Sequence, residues 1–156
     1  MEVKLSSNTK KWNLRFLKLA KFISKFSKDP STKVGAVIVD KNNRVLGFGY
    51  NGLPRKVKDK KKRYKNRKLK YSMIVHAEDN ALMNATASVE GAKIYVYPTL
   101  MKPACCNKCT QRIIQEGISE VIYYDTKTNK RWEKEEKISK LMLEEAGVKC
   151  TPIEKE

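Results

Sequence analysis

Hydrophobic positions near the start of the chain recur at three- and four-residue steps: Trp12, Phe16, Leu19, Ile23 and Phe26, with lysines between them. That period predicts an amphipathic helix over residues 8–28. Asp29-Pro30-Ser31-Thr32 stops it, because proline disfavours helical geometry in the residue before it. The pattern then changes to short β-rich runs. Val34 to Val39 and Arg44 to Tyr50, joined by the turn chemistry of Asp40-Lys41-Asn42-Asn43, predict a hairpin. Asn51-Gly52-Leu53-Pro54 breaks the second strand, since an Asn-Gly pair tolerates a sharp backbone turn. Good helix formers without glycine or proline run from His76 to Ala87, and Lys93 to Tyr97 alternates as a strand. Cys106 to Glu116 predicts a further helix capped by Gly117. Glu120 to Tyr124 is the fourth predicted strand. Trp132 to Ala146 is amphipathic, with Ile138, Leu141, Met142 and Leu143 on its inward face, and Val148 to Ile153 is the fifth strand. The order α-β-β-α-β-α-β-α-β shows no linker and no repeat. It predicts one α/β domain over residues 1–156, with its core at about 8–153: three layers, α/β/α, with a central five-stranded mixed sheet and helices on both faces.

Composition narrows the setting. A chain of 156 residues, 40% hydrophobic and 33% charged, suits one soluble globular domain. No apolar run approaches the roughly 18–20 residues of a membrane span, and Met1-Glu2-Val3-Lys4-Leu5 lacks the apolar core of a signal peptide. The expectation is a cytoplasmic protein with no membrane partner. Four cysteines in a reducing compartment point to metal ligation more than to disulfides, with Cys150 expected as a plain buried thiol. The net charge of +17 favours phosphate-bearing partners. Yet lysines outnumber arginines 27 to 7, and planar bidentate phosphate recognition selects arginine. Residues 55–70 hold eleven basic residues against the single acid Asp59. The run reads as a solvated face. As a nucleic-acid patch it offers only Tyr64 and Tyr71 for stacking, which is thin interleaving.

Chemistry concentrates between His76 and Cys109. His76 is the only histidine, Glu78 follows two residues later, and Cys106 and Cys109 close the stretch. One imidazole and two thiolates are three zinc ligands, one short of a closed structural site, so a position stays open for water. The H-x-E and C-x-x-C pair is the zinc deaminase signature. Each motif opens a predicted helix, where thiol pKa values fall. Residues two apart on an ideal helix point roughly 200° apart, so His76 and Glu78 can serve one metal only if His76 sits in the first turn. Glu78 is then the proton shuttle: it takes a proton from water, delivers it to a ring nitrogen and helps protonate a leaving amine. The Ala77 backbone N–H is placed to hold a base carbonyl. A zinc that only staples the fold would need Cys105 as fourth ligand, but the side chains of Cys105 and Cys106 diverge.

These residues resemble the deoxycytidylate (dCMP) deaminase family, within the wider cytidine deaminase-like fold. The likeness runs from about residue 30 to 148 and rests on Lys33 to Val39, Gly49-Tyr50-Asn51-Gly52-Leu53-Pro54, Val75-His76-Ala77-Glu78 with Asn80-Ala81, Pro103 to Cys109, Ile113 to Ile118 and Glu145 to Val148. The resemblance implies a five-stranded core, one Zn²⁺ per chain on His76, Cys106 and Cys109, and conversion of dCMP to dUMP for thymidylate synthesis. It implies that Asn51 contacts sugar or base and that Tyr123, just past the fourth strand, packs on the pyrimidine. Ser31, Thr32 and Lys33, joined by Lys28, would approach the nucleotide phosphate. Many members are homohexamers activated by dCTP and inhibited by dTTP, the effector lying near Tyr50, Asn51 and Gly52. Two departures stand out. Cys105 replaces the proline common before the first zinc cysteine, and residues 55–70 lack the histidine or cysteine of a second, structural zinc. The weighed alternatives are a cytosine deaminase acting on a polynucleotide and a non-catalytic zinc-containing nucleic-acid-binding module.

Overall fold

In the computed structural model, which describes residues 5–156, six α-helices and five strands form one layered arrangement. Residues 1–4, part of the stretch expected to lack a signal-peptide core, lie outside the described residues. Helix α1 (Ser7–Ser24) is capped by Ser6, whose side chain accepts from the Thr9 N–H. The hairpin β1 (Gly35–Val39) and β2 (Val45–Tyr50) follows, then two short helices, α2 (Lys61–Lys65) and α3 (Arg67–Met73). After them come α4 (Ala77–Met83), β3 (Lys93–Tyr97), α5 (Asn107–Gln115), β4 (Glu120–Tyr124), a 3-10 turn at Lys130–Trp132, α6 (Glu133–Glu145) and β5 (Lys149–Ile153).

The sheet order is β2-β1-β3-β4-β5. β1 is antiparallel to both β2 and β3, whereas β3, β4 and β5 run parallel, so the sheet is mixed as expected. Period-2 alternation sends side chains to two cores. Ala36, Ile38, Ile94, Val96, Val121 and Tyr123 face one side, where Ala77 and Ala81 of α4, Cys109 and Ile113 of α5 and Leu143 of α6 cover them. Val37, Val39, Tyr95, Ile122 and Tyr124 face the other, beneath Leu14, Phe16, Leu17 and Ile23 of α1. One helix therefore covers one face and three cover the other.

Several boundaries moved. The first helix ends at Ser24 rather than residue 28, because the chain turns in to bury Ser27 and Asp29. The basic run is no simple solvated face: it folds into α2 and α3, burying Tyr64 and Lys70. Tyr64 donates to Asp59 over 2.9 Å and is not available for stacking on a base. On α6, Ile138 and Leu141 are 50% and 54% exposed, contrary to the inward face expected for them, whereas Leu143 is fully buried. The fully buried Ser139 takes the inner position, donating to the Cys105 carbonyl at 3.1 Å and to Asn107 Oδ1 at 2.7 Å. Local hydrogen bonding to the α5 entry thus set the helix rotation, which apolar periodicity alone could not reveal. Cys150 is only half-buried, with burial pushing its thiol up to about 11.

Candidate active site

The placement of α4 begins with a glycine. A Cβ on Gly49 would fall 2.5 Å from the Ala77 carbonyl oxygen and 2.7 Å from the Asn80 carbonyl carbon. Only glycine lets β2 and the α4 backbone touch in this way. Asn80 Nδ2 donates to the Tyr50 carbonyl over 2.8 Å and fixes the helix along the strand. Beyond β2, Gly52 and Val75 exchange two backbone hydrogen bonds of 2.8 and 3.1 Å. The Tyr50-Asn51-Gly52 element is thereby joined to the residue before His76.

His76 is the N-cap of α4, not its first turn, with extended backbone at φ −71° and ψ 155°. That conformation removes the angular conflict between His76 and Glu78, because His76 leaves the chain before helical geometry begins. Cys106 is likewise the N-cap of α5, and its sulfur accepts from the Cys109 N–H at 3.5 Å. The expected helix starts at His76 and Cys106 are thus each one residue early, with the candidate ligand outside the helix.

His76 Nδ1 lies 3.3 Å from both Cys106 Sγ and Cys109 Sγ, and the three ligand atoms all fall within 4.8 Å of one another. With zinc–sulfur and zinc–nitrogen distances of about 2.3 and 2.0–2.1 Å, a tetrahedral site has nitrogen–sulfur edges of about 3.6 Å. The donor set therefore fits zinc in kind and spacing. Cys105 is fully buried but is not part of the cluster; burial raises its thiol well above the ordinary value. The cluster has three protein donors among the described residues.

The surrounding charges are tightly linked. Hydrogen bonding from Cys109, together with the hydrogen bond to His76, lowers the Cys106 thiol to about 4 against the opposing effect of burial. Cys109, as donor in that pair and itself buried, is pushed up. The Cys106 hydrogen bond raises His76 to about 9. Glu78 is buried, and burial raises its carboxyl to about 7. Its Oε2 lies 3.8 Å from Cys109 Sγ, so the carboxyl sits at the edge of the cluster without belonging to it. A buried acid with a pKa near neutrality can both take and give a proton. Next to it, Asp79 pairs with Arg112 at 3.0 Å and joins α4 to α5.

The remaining sequence candidates divide. Ala77 is buried at the start of α4. Tyr123 lies within β4 rather than just past it, in the same buried layer as Ala77, Cys105 and Cys109. Asn51 is buried, with both ends of its amide used: Oδ1 accepts from the Val34 N–H and Nδ2 donates to the Thr32 carbonyl, each over 2.8 Å. The backbone N–H groups of Ser31 and Thr32 donate to Asp29 Oδ1 at 2.9 and 3.2 Å. Lys33 bonds the Ser27 carbonyl, and Lys28 pairs with Asp59 at 2.5 Å. Lys28 and Lys33 line an open cleft of about 430 Å³ with Lys25, Phe26, Lys61 and Tyr64. Tyr50 is partly exposed and packs edge-on against Phe26 with ring centroids 5.8 Å apart. Sequence reasoning missed Asp29, Lys70 and Asn80. The first was legible only as a helix stop, the second was one cation among eleven, and the third was quoted only within a motif.

A mixed sheet presenting a His-Cys-Cys cluster and a buried carboxyl from two adjoining helix entries defines a zinc-binding hydrolytic fold. Residues 10–125 match the family model described as the cytidine and deoxycytidylate deaminase zinc-binding region. The chain belongs to the cytidine and deoxycytidylate deaminase family. It is 39% identical over 152 residues to the deoxycytidylate deaminase of Mus musculus, covering 90% of this chain and 80% of that protein. An uncharacterized deaminase of Aliivibrio fischeri is 40% identical over 146 residues, covering 90% of this chain and 92% of that protein. The crystal structure of dCMP deaminase from the cyanophage S-TIM5, in complex with dCMP and dUMP, superposes with a TM-score of 0.67. At 21% identity, covering 97% of this chain and 100% of that one, it shows the shared fold. Among the described residues, no helix is long and apolar enough to cross a membrane.

Proposed function

We propose that this protein deaminates dCMP to dUMP and ammonia by zinc-dependent hydrolysis, supplying dUMP for thymidylate synthesis. The observation that carries the reading is the buried Glu78 carboxyl beside a three-donor cluster whose spacing fits zinc. His76, Cys106 and Cys109 would hold one zinc per chain, which supplies the polarisation that makes a water nucleophilic at neutral pH. Glu78 accepts a proton from that water and delivers it to the pyrimidine ring nitrogen, so that C4 becomes electrophilic. It then takes the second proton from the oxygen that has joined C4 and passes it to the amine, which leaves as ammonia. One carboxyl serves both steps because attack and departure occupy one small volume. The Ala77 N–H holds the base carbonyl, and Tyr123 packs on the ring. Asn51 acts on the nucleotide through the Thr32–Val34 backbone it holds, and Ser31, Thr32, Lys33 and Lys28 face the phosphate.

The names of the mouse relative and of the cyanophage complex support dCMP as substrate. Exposed Phe22, Phe26, Phe48 and Tyr50, two on α1 or just past it and two on the edge strand β2, support assembly into a homo-oligomer. The proposed effector site for dCTP and dTTP lies at Tyr50, Asn51 and Gly52, and the proposed setting is the cytoplasm. A direct test incubates the zinc-loaded protein with dCMP, deoxycytidine, dCTP and single-stranded DNA and follows uracil formation, with and without added dCTP or dTTP. Turnover of dCMP is expected. Turnover of the polymer alone would replace this reading with a polynucleotide deaminase.

A further inference from the structure

Eleven basic residues crowd positions 55–70, and the last of them behaves unlike a surface lysine. Lys70 is 8% exposed, and its ammonium lies 3.1 Å from one oxygen of Asp29 and 3.5 Å from the other. Asp29 is 1% exposed. A buried carboxylate is tolerated only when paired and hydrogen-bonded. Asp29 meets both conditions, with Lys70 on one side and the N–H groups of Ser31 and Thr32 on the other. Those N–H groups are turned inward, while Ser31 and Lys33 are exposed and Thr32 is half-buried.

A second clamp grips the same segment. Asn51 accepts from the Val34 N–H and donates to the Thr32 carbonyl. Ser27 joins the two clamps, accepting from the Asp29 N–H at 3.2 Å and donating to the Asn51 carbonyl at 2.8 Å. Both clamps trace back to the chain entering the metal cluster. Lys70 lies on α3, which leads directly to His76, and Gly52 is bridged to Val75.

We propose that the buried Lys70–Asp29 pair is a positioning device that sets the Ser31–Lys33 loop at the distance from the His76 cluster needed to receive a nucleotide monophosphate. The inference rests on the reading of this loop as the phosphate contact. Lys70 does not touch the phosphate, since its ammonium is buried on Asp29. It pairs with the carboxylate, and the carboxylate holds the loop through the Ser31 and Thr32 N–H groups. In Lys70→Met the uncompensated charge of Asp29 must find solvent, and the loop opens with it.

The test is steady-state kinetics on dCMP and on deoxycytidine, which lacks the phosphate, with zinc content measured alongside. For Lys70→Met the KM for dCMP rises about 10- to 100-fold, the scale of lost charged hydrogen bonds. Its kcat, its zinc content and its kcat/KM for deoxycytidine stay within about twofold of the parent protein. The double variant Asp29→Asn/Lys70→Met removes the charge but keeps an acceptor oxygen, and it recovers most of the dCMP KM. A folded Lys70→Met with the parent KM for dCMP overturns the inference. If the single variant does not fold, Asp29→Asn/Lys70→Met is compared with Asp29→Ala/Lys70→Met, which lacks the acceptor; equal KM values for dCMP overturn it. A parent protein that treats dCMP and deoxycytidine alike overturns the phosphate reading itself. A parent preference for dCMP that all these variants share overturns only the role of the pair.

Discussion

Substituting Gly49 with alanine tests how α4, the helix that His76 caps, is held. The added Cβ would lie 2.5 Å from the Ala77 carbonyl oxygen and 2.7 Å from the Asn80 carbonyl carbon, and closer still to the Ala81 nitrogen. Ordinary contact begins near 3.4 Å. All three neighbours are backbone atoms of α4, so no side chain can swing aside. The helix or the strand must shift by about 1 Å, and overpacking of this kind costs typically 1–3 kcal/mol. With several atoms crowded at once, the upper end, about 3 kcal/mol, is expected. For a chain of this size that lowers Tm by about 6–12 °C. The displacement also moves Ala77, and with it His76, relative to the two cysteines. Metal sites tolerate ligand displacements of only about 0.2 Å, so zinc affinity falls by an order of magnitude or more. The assay pairs thermal unfolding with zinc competition against a chelator. Gly52→Ala is the control: nothing lies within 4 Å of its added Cβ, and its stability stays within about 0.5 kcal/mol of the parent. If Gly49→Ala melted and bound zinc like Gly52→Ala, the contact between β2 and α4 could not be what places His76.

Three further outcomes are expected. Glu78→Gln keeps its zinc, measured by elemental analysis, while kcat for dCMP falls by about 10²–10⁴ or more; retained turnover removes Glu78 from proton transfer. Cys106→Ala loses zinc, whereas Cys105→Ala keeps it and loses about 1–2 kcal/mol of stability from an underpacked core. Equal zinc contents in the two variants contradict the ligand assignment. At alkaline pH, burial holds Tyr64 up to about 12 and also raises Tyr95, Tyr123 and Tyr124 above the ordinary 10.0. Because the folded state favours the protonated phenol, this contribution is fully present below about pH 10 and is lost as pH rises through about 12. Phenolate absorbance should show these four ionising together with unfolding, while complete ionisation of all seven tyrosines with native circular dichroism refutes their burial.

Much of this was written in the chain. Apolar periods of 3.6 and 2 gave the order of the five strands and the four helices that pack on the sheet, though not the short α2 and α3 of the basic run, because amphipathic faces must be buried whatever the partner. The clustering of His76, Cys106 and Cys109 beside Glu78 was legible because His76 has no competitor and the spacings are short. Gly49 and Asn51-Gly52 were visible as a motif, though not what they touch. Only the tertiary structure decided that His76 and Cys106 stand outside their helices as caps, which allows three donors and a carboxyl to converge. Only it separated Lys70 from ten neighbouring cations, since burial depends on Asp29, 41 residues earlier in the chain. It also turned α6 onto Ser139 rather than Ile138 and Leu141. The division has one physical cause. Local propensity and periodicity act over a few residues and are carried by the sequence, whereas a buried charge or a rotated helix is fixed by whichever distant group completes its hydrogen bonds.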